Sequence, residues 1–155
     1  MASRLQAELK QHKPFRSLEQ EALLSIARTA AVLEHSMAET LKPHRITPTQ
    51  YNALRILRGA GAPGLCRNEI RDRLIARVPD ATRLLGRLEQ LELVVRSREG
   101  EDRRYVRTHI TRAGLALLHH LDAPVLALHR KQLGHLGPAR LRALIAQLGQ
   151  VRQQL

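Results

Sequence analysis

Residues 77–94 read RVPDATRLLGRLEQLELV, and this stretch decides the fold. At about 100° per residue, Val78, Ala81, Leu84, Leu85, Leu88 and Leu91 fall on one half of a helical wheel. Pro79, Asp80, Thr82, Arg83, Gly86, Arg87 and Gln90 fall mostly on the other. That division is an amphipathic helix with an apolar stripe. Pro79 suits a first helical turn, so the helix is expected over 79–91. A shorter helical pattern, 66–75, precedes it, anchored by Ile70 and Leu74. After it comes a hairpin pattern. Val94 and Val95 favour strand, 99–102 read EGED as a turn, and 105–110 form the return strand. Tyr105, Arg107 and His109 would face one side of it, and Val106, Thr108 and Ile110 the other. Helix, turn, amphipathic helix and basic hairpin is the order of a winged helix-turn-helix, whose second helix enters the DNA major groove.

The flanks are helical. Ser17 and Gln20 suit a capping box, and Ala22, Ile26, Ala30, Leu33, Met37 and Leu41 then recur at helical spacing up to Pro43. Thr47-Pro48-Thr49-Gln50 starts another helix, with Tyr51, Leu54 and Leu57 on its buried side, ending at the GAGAPG loop. Thr111 caps a long pattern through Leu115, Leu118, Leu121, Val125 and Leu128, with Pro124 expected to kink or split it. Gly137-Pro138 restarts the chain into a final stripe, Leu141 to Leu155. The expected architecture is mainly α with a small β-hairpin wing. It has a flexible leader (1–16), an N-terminal dimerisation helix (17–46), a winged helix-turn-helix (47–110) and C-terminal dimerisation helices (111–155). The terminal helices carry more apolar face than one reading head can cover, which points to a two-fold homodimer. A monomeric bundle in which the ends cover each other is the alternative.

Charge narrows the function. There are 26 Lys and Arg against 14 Asp and Glu, a formal net charge of +12. A pI near 11.4 is the electrostatic footprint of a nucleic-acid binder. The only aromatics are Phe15, Tyr51 and Tyr105, too few for a single-strand binder that stacks bases. Double-stranded DNA is the expected partner. No apolar run approaches the roughly 20 residues of a membrane span, and the single cysteine, Cys66, suits a reducing cytoplasm. No phosphate loop, nucleophile elbow or carboxylate pair supports an enzyme, so no catalytic residue and no cofactor is assigned.

Arg83 and Arg87 lie four apart on the exposed face of the reading helix. Arg83 is nearer its N-terminal half and is assigned to bases, where a bidentate guanine contact is worth about 1–3 kcal/mol. Arg87 is assigned to phosphate. Thr82 and Asp80 reach toward the groove, and Asp80 has a plain alternative as a first-turn carboxylate opposite the helix dipole. Arg77 precedes the helix as a phosphate contact, and Pro79 stands beside it. Arg96 and Arg98 alternate onto one strand face and are assigned to phosphate. Arg67 and Asn68, at the start of the preceding helix, can donate to the backbone. Asp102, Arg103 and Arg104 stand at the hairpin tip, where an arginine gains from a narrow minor groove. Cys66 sits at a helix start, a position that can activate a thiol, or is simply structural. His12, His35, His44, His109, His119, His120, His129 and His135 are scattered and show no metal-site spacing, so no metal is expected.

From Ile46 to the C-terminus the chain resembles the MarR family of bacterial transcriptional regulators. ITPTQYNALRIL resembles the family's second helix. RVPDATRLLGRLEQLELV resembles its recognition helix and the run into the wing. EGEDRRYVRTHITRAGLALL resembles the wing and the start of the fifth helix. The most specific part is Asp102-Arg103-Arg104 followed by Ile110-Thr111-Arg112-Ala113-Gly114. The resemblance implies a homodimer on a pseudopalindromic operator, repression of nearby genes, and release by a small phenolic or carboxylate effector or by cysteine oxidation. It implies that Asp102 orients one wing arginine while the other touches the groove or backbone. It also implies an effector pocket where the first, second and fifth helices meet, with His35, Met37, Tyr51, His119 and His120 as candidates. Two departures stand out. Gly86 occupies a position that is often acidic, and Val78-Pro79-Asp80 lacks the usual small hydroxyl residues. The peroxide-sensing branch carries its cysteine in the first helix, and none is there in this chain. A non-sequence-specific architectural protein remains the alternative function.

Overall fold

The computed structural model describes residues 3–98 and 106–154. Its helices are α1 (Arg4–Glu8), α2 (Leu18–Leu41), α3 (Pro48–Ala60), α4 (Arg67–Arg73), α5 (Ala81–Gln90), α6 (Arg112–Leu133) and α7 (Gly137–Gln153). Short 3₁₀ turns, Lys42–His44 and Gly134–Leu136, follow α2 and α6. The strands β1 (Leu65–Cys66), β2 (Val94–Arg98) and β3 (Val106–Ile110) form an antiparallel sheet in the order β1-β3-β2.

The capping signals act as their chemistry requires. Thr47 Oγ1 accepts the Gln50 N–H at 3.2 Å, and Gln50 Oε1 accepts the Thr47 N–H at 2.9 Å. This reciprocal box uses two donors that a helix start otherwise leaves unpaired. Ser17 Oγ accepts the Gln20 N–H at the start of α2 and Thr111 Oγ1 the Gly114 N–H at the start of α6, one bond each; the Gln20 side chain accepts from the Arg16 N–H instead of closing the expected box.

Helix α5 turns its apolar stripe inward. Ala81, Leu85 and Leu88 are buried, and Leu85 and Leu88 pack with Leu54, Leu57, Leu65, Ile70, Val94, Leu118 and Leu121 in one core. Fully burying a leucine side chain stabilises by about 1.5–3 kcal/mol, so this stripe fixes which face of α5 remains outside. The sheet, α3 to α5 and the first half of α6 thus form one packed head.

The structure corrects several expectations. The leader holds a short helix, α1, capped by Ser3 and anchored by buried Leu5. Helix α5 begins at Ala81 with Asp80 as its N-cap, so Pro79 lies before the helix rather than in its first turn. The pattern at 66–75 contracts to α4, because Cys66 belongs to β1 and Leu74 is already extended. The hairpin acquires a third strand, with Leu65 opposite Thr108 and Cys66 opposite Arg107. Pro124 neither splits nor ends α6. It is exposed, and Leu118, Leu121 and Val125 are buried around it.

The outer helices differ from the head. Of the 24 residues of α2 only Leu41 is buried, and α7 buries none. Leu23 is 66% exposed, Val32 50% and Ile145 66%. Among the described residues no helix is long and apolar enough to cross a membrane.

Candidate nucleic-acid interface

The exposed face of α5 carries Thr82, Arg83, Arg87 and Gln90. Asp80 Oδ1 accepts the Arg83 N–H at 2.8 Å. The carboxylate is therefore occupied by the helix it starts, where it also opposes the dipole. It serves the helix as its N-cap rather than as a first-turn residue. The Arg83 and Arg87 guanidinium groups meet no carboxylate among the described residues.

Helix α4 stands beside α5. Arg67 Nη1 donates to Thr82 Oγ1 at 3.1 Å, joining two of the predicted contacts. Asn68 is exposed next to them. A cleft of about 410 Å³ opens between α4, α5 and the sheet, with Cys66, Arg67, Asn68, Thr82 and Arg96 in its wall. Cys66 is half-buried, and its N–H donates to Glu69 Oε2 at 2.8 Å. That bond and one to the Cys66 side chain hold the Glu69 carboxyl below its ordinary value. Arg77 and Pro79 are exposed in the connection to α5.

Arg96 is not a free cation. Its Nε donates to Glu89 Oε2 at 2.8 Å, and its Nη2 reaches the same oxygen. These bonds hold the Glu89 carboxyl below the usual range and raise Arg96. Arg98 is exposed at the end of β2. Asp102, Arg103 and Arg104 lie outside the described residues.

Three supports were not evident from sequence. Asn52 Oδ1 accepts the Ile75 N–H at 2.9 Å, tying the α4–α5 connection to α3. Arg107 Nη1 donates to the carbonyls of Pro63 and Gly64 at 3.2 and 3.3 Å, so it fastens the loop before β1. Gly64 has φ +60, and a Cβ there would stand 2.6 Å from the Thr108 carbonyl. A polar residue inside a helix, as Asn52 is in α3, gives no local signal of a partner 23 positions away.

The five effector candidates differ in their surroundings. Tyr51 is 6% exposed within the core, and burial raises its phenol above the ordinary value. Met37 packs against that core. His35, His119 and His120 are exposed. His120 stacks edge-on with His44, centroids 5.4 Å apart.

Comparison with known proteins gives a consistent picture. A profile of the MarR family matches residues 46–106. A MarR transcription factor from Planctomyces limnophilus is 41% identical, with 87% of this chain and 98% of that one covered and a TM-score of 0.67. The S. aureus MepR–DNA complex shares the fold at 20% identity, covering 85% of this chain and 96% of that one, TM-score 0.78. So does Bordetella bronchiseptica BpsR, whose DNA binding is regulated by 6-hydroxynicotinic acid, at 21% identity, 85% and 98% coverage and TM-score 0.73. No curated protein sequence matches the chain.

Proposed function

The chain belongs to the MarR family of transcription regulators, and on that premise we propose that it is a dimeric repressor that reads a pseudopalindromic DNA operator and is released by a small aromatic or carboxylate effector. The observation that carries the DNA reading is α5 itself. Its apolar stripe is locked in the core while Arg83 and Arg87 stand exposed on the opposite face, without ion pairs among the described residues. Arg83 contacts bases, and Arg77, Arg87, Arg67 and Asn68 contact backbone. Asp80 and Thr82 hold the reader in shape. The wing, with Arg98, Arg103 and Arg104, approaches the adjacent minor groove.

The apolar faces left open on α2 and α7 support the dimer. A second copy is the economical cover for them, and a two-fold pair presents its readers about one helical turn apart, 10–10.5 bp. Repression then follows from occupancy of a promoter. An effector that prefers a different reader spacing by a few kcal/mol releases the DNA. BpsR's control by 6-hydroxynicotinic acid supports an aromatic acid as the first effector class to try.

The test is a binding titration on the DNA flanking the protein's own gene, with mixed-sequence duplex as competitor, at two salt concentrations. A specificity ratio of about 10³ or more, lost in Arg83→Ala while the dimer persists, is the expected result. A ratio near one with a steep salt slope would replace this reading with a sequence-independent nucleic-acid coat.

A further inference from the structure

A second cleft, about 350 Å³, lies on the other side of α5. It opens between the start of α3 and the C-terminal half of α5, with Arg45, Thr47, Gln50, Arg87 and Gln90 in its wall. Its chemistry is one-sided. Arg45 and Arg87 are both exposed, and among the described residues neither meets a carboxylate. The first turn of α3 contains no acidic residue, so the positive end of that helix is not neutralised from within.

Two details concern the anchoring of Gln50 and the backbone of Arg45. Gln50 is 8% exposed, so the side chain is fixed in the wall. Its Oε1 is committed to the Thr47 N–H, and its Nε2 donors meet no acceptor among the described residues. That nitrogen is not among the buried unpartnered atoms, so solvent reaches it at the cleft and can be exchanged for an acceptor there. Arg45 has φ +59 and closes the 3₁₀ turn after α2. A non-glycine residue in that region costs of order 1 kcal/mol and persists only where its surroundings hold it.

We infer that this cleft seats one phosphate of the DNA backbone at the edge of the groove read by α5, with Arg45, Arg87 and the Gln50 amide as its donors. Arg87 is one helical turn from Arg83 on the same exposed face of α5. A helix lying in the major groove is bordered by phosphates along such a flank. The seat makes Arg45 a DNA contact contributed from outside the reading helices and the wing. It rests on the DNA-binding reading above. It adds that the end of α2, whose Leu41 is fully buried, is tied to the nucleic acid through its next turn.

The experiment uses the full chain and a mixed-sequence duplex, with affinity followed by fluorescence anisotropy over a salt series. Arg45→Gly removes the charge and relieves the left-handed backbone, so loss of fold does not confuse the result. Arg45→Lys keeps the charge. The expected result is a salt slope shallower by about 0.9 per chain bound in Arg45→Gly, largely retained in Arg45→Lys, with preference among sequences unchanged. On duplexes of the protein's preferred operator carrying single neutral methylphosphonate linkages, wild type is expected to weaken at one position per half-site to which Arg45→Gly is indifferent. A wild-type slope in Arg45→Gly overturns the seat. If Arg83→Ala still loses sequence preference in that case, the DNA reading stands and only the seat falls. If the wild-type chain shows no salt-dependent duplex binding, both fall together.

Discussion

Replacing Asp80 separates a structural carboxylate from a base-reading one. Its Oδ1 accepts the Arg83 N–H at 2.8 Å and caps α5. Losing an N-cap costs about 0.5–2 kcal/mol, and the exposure of Asp80 lets water take part of its place, which favours about 1 kcal/mol. The carboxylate also opposes the helix dipole, a further 0.3–1 kcal/mol or so at low salt. Asp80→Ala loses both contributions, whereas Asp80→Asn loses only the second. For a chain of this length each kcal/mol moves the thermal midpoint by about 2–4 °C. Asp80→Ala is thus expected to melt several degrees below wild type, and Asp80→Asn to recover at least half of the loss. High salt should bring Asp80→Asn closer to wild type, since screening acts on the charge and not on the cap bond. Circular dichroism melts at one protein concentration and two salt concentrations provide the comparison. An Asp80→Asn midpoint equal to that of Asp80→Ala would refute the capping argument. A change of base preference in Asp80→Asn would return the carboxylate to the groove.

Other perturbations test the frame around the reader. Gly114→Ala should cost about 1–3 kcal/mol, measured by urea unfolding, because its Cβ would run into the Leu93 carbonyl and stand 2.7 Å from Ile110 Cγ1. Glu89→Gln should release Arg96 and remove a negative charge beside the reader, steepening the salt slope on mixed-sequence duplex by up to about 0.9 per chain; an unchanged slope would place Arg96 off the DNA. Arg58 grips Asp122 with two bonds, 2.9 and 3.0 Å, and holds that carboxyl below its ordinary value. The pair therefore adds stability above about pH 4, the unfolded value, and loses it as pH falls through the lower folded value. Both groups are partly exposed, so the contribution is about 0.5 kcal/mol, and Asp122→Asn should flatten that part of the acid limb.

Helices were legible in the sequence where a 3.6-residue stripe and a cap agreed. Thr47 with Gln50 and Thr111 before Gly114 are local signals, and both form the expected bonds. The start of the reader was read from Pro79, with Asp80 in the first turn; the helix instead starts after Asp80, whose side chain bonds a free N–H that a proline ring cannot serve. Strand β1 was illegible because two residues cannot show an alternation and their partners, Arg107 and Thr108, lie some forty positions on. The Arg96 side chain followed its strand's alternation, yet the alternation does not reveal that Glu89 waits across the turn. The exposed arginines of α5 were readable because an amphipathic pattern fixes outside as firmly as inside. Arg45, by contrast, carries no pattern, and its interest comes only from the cleft to which it contributes.

The bare flank of α7 has a consequence for how the molecule opens. A helix that buries no residue has little beyond its own backbone bonds to resist fraying, since most helical stability in proteins comes from tertiary packing. Amide protons of α7 should therefore exchange early, while those of α3 and α5 wait for opening of the whole head. Covering the flank would bring the two sets of rates together. Hydrogen exchange along the chain is in this sense a gauge of assembly, with the last helix as its pointer.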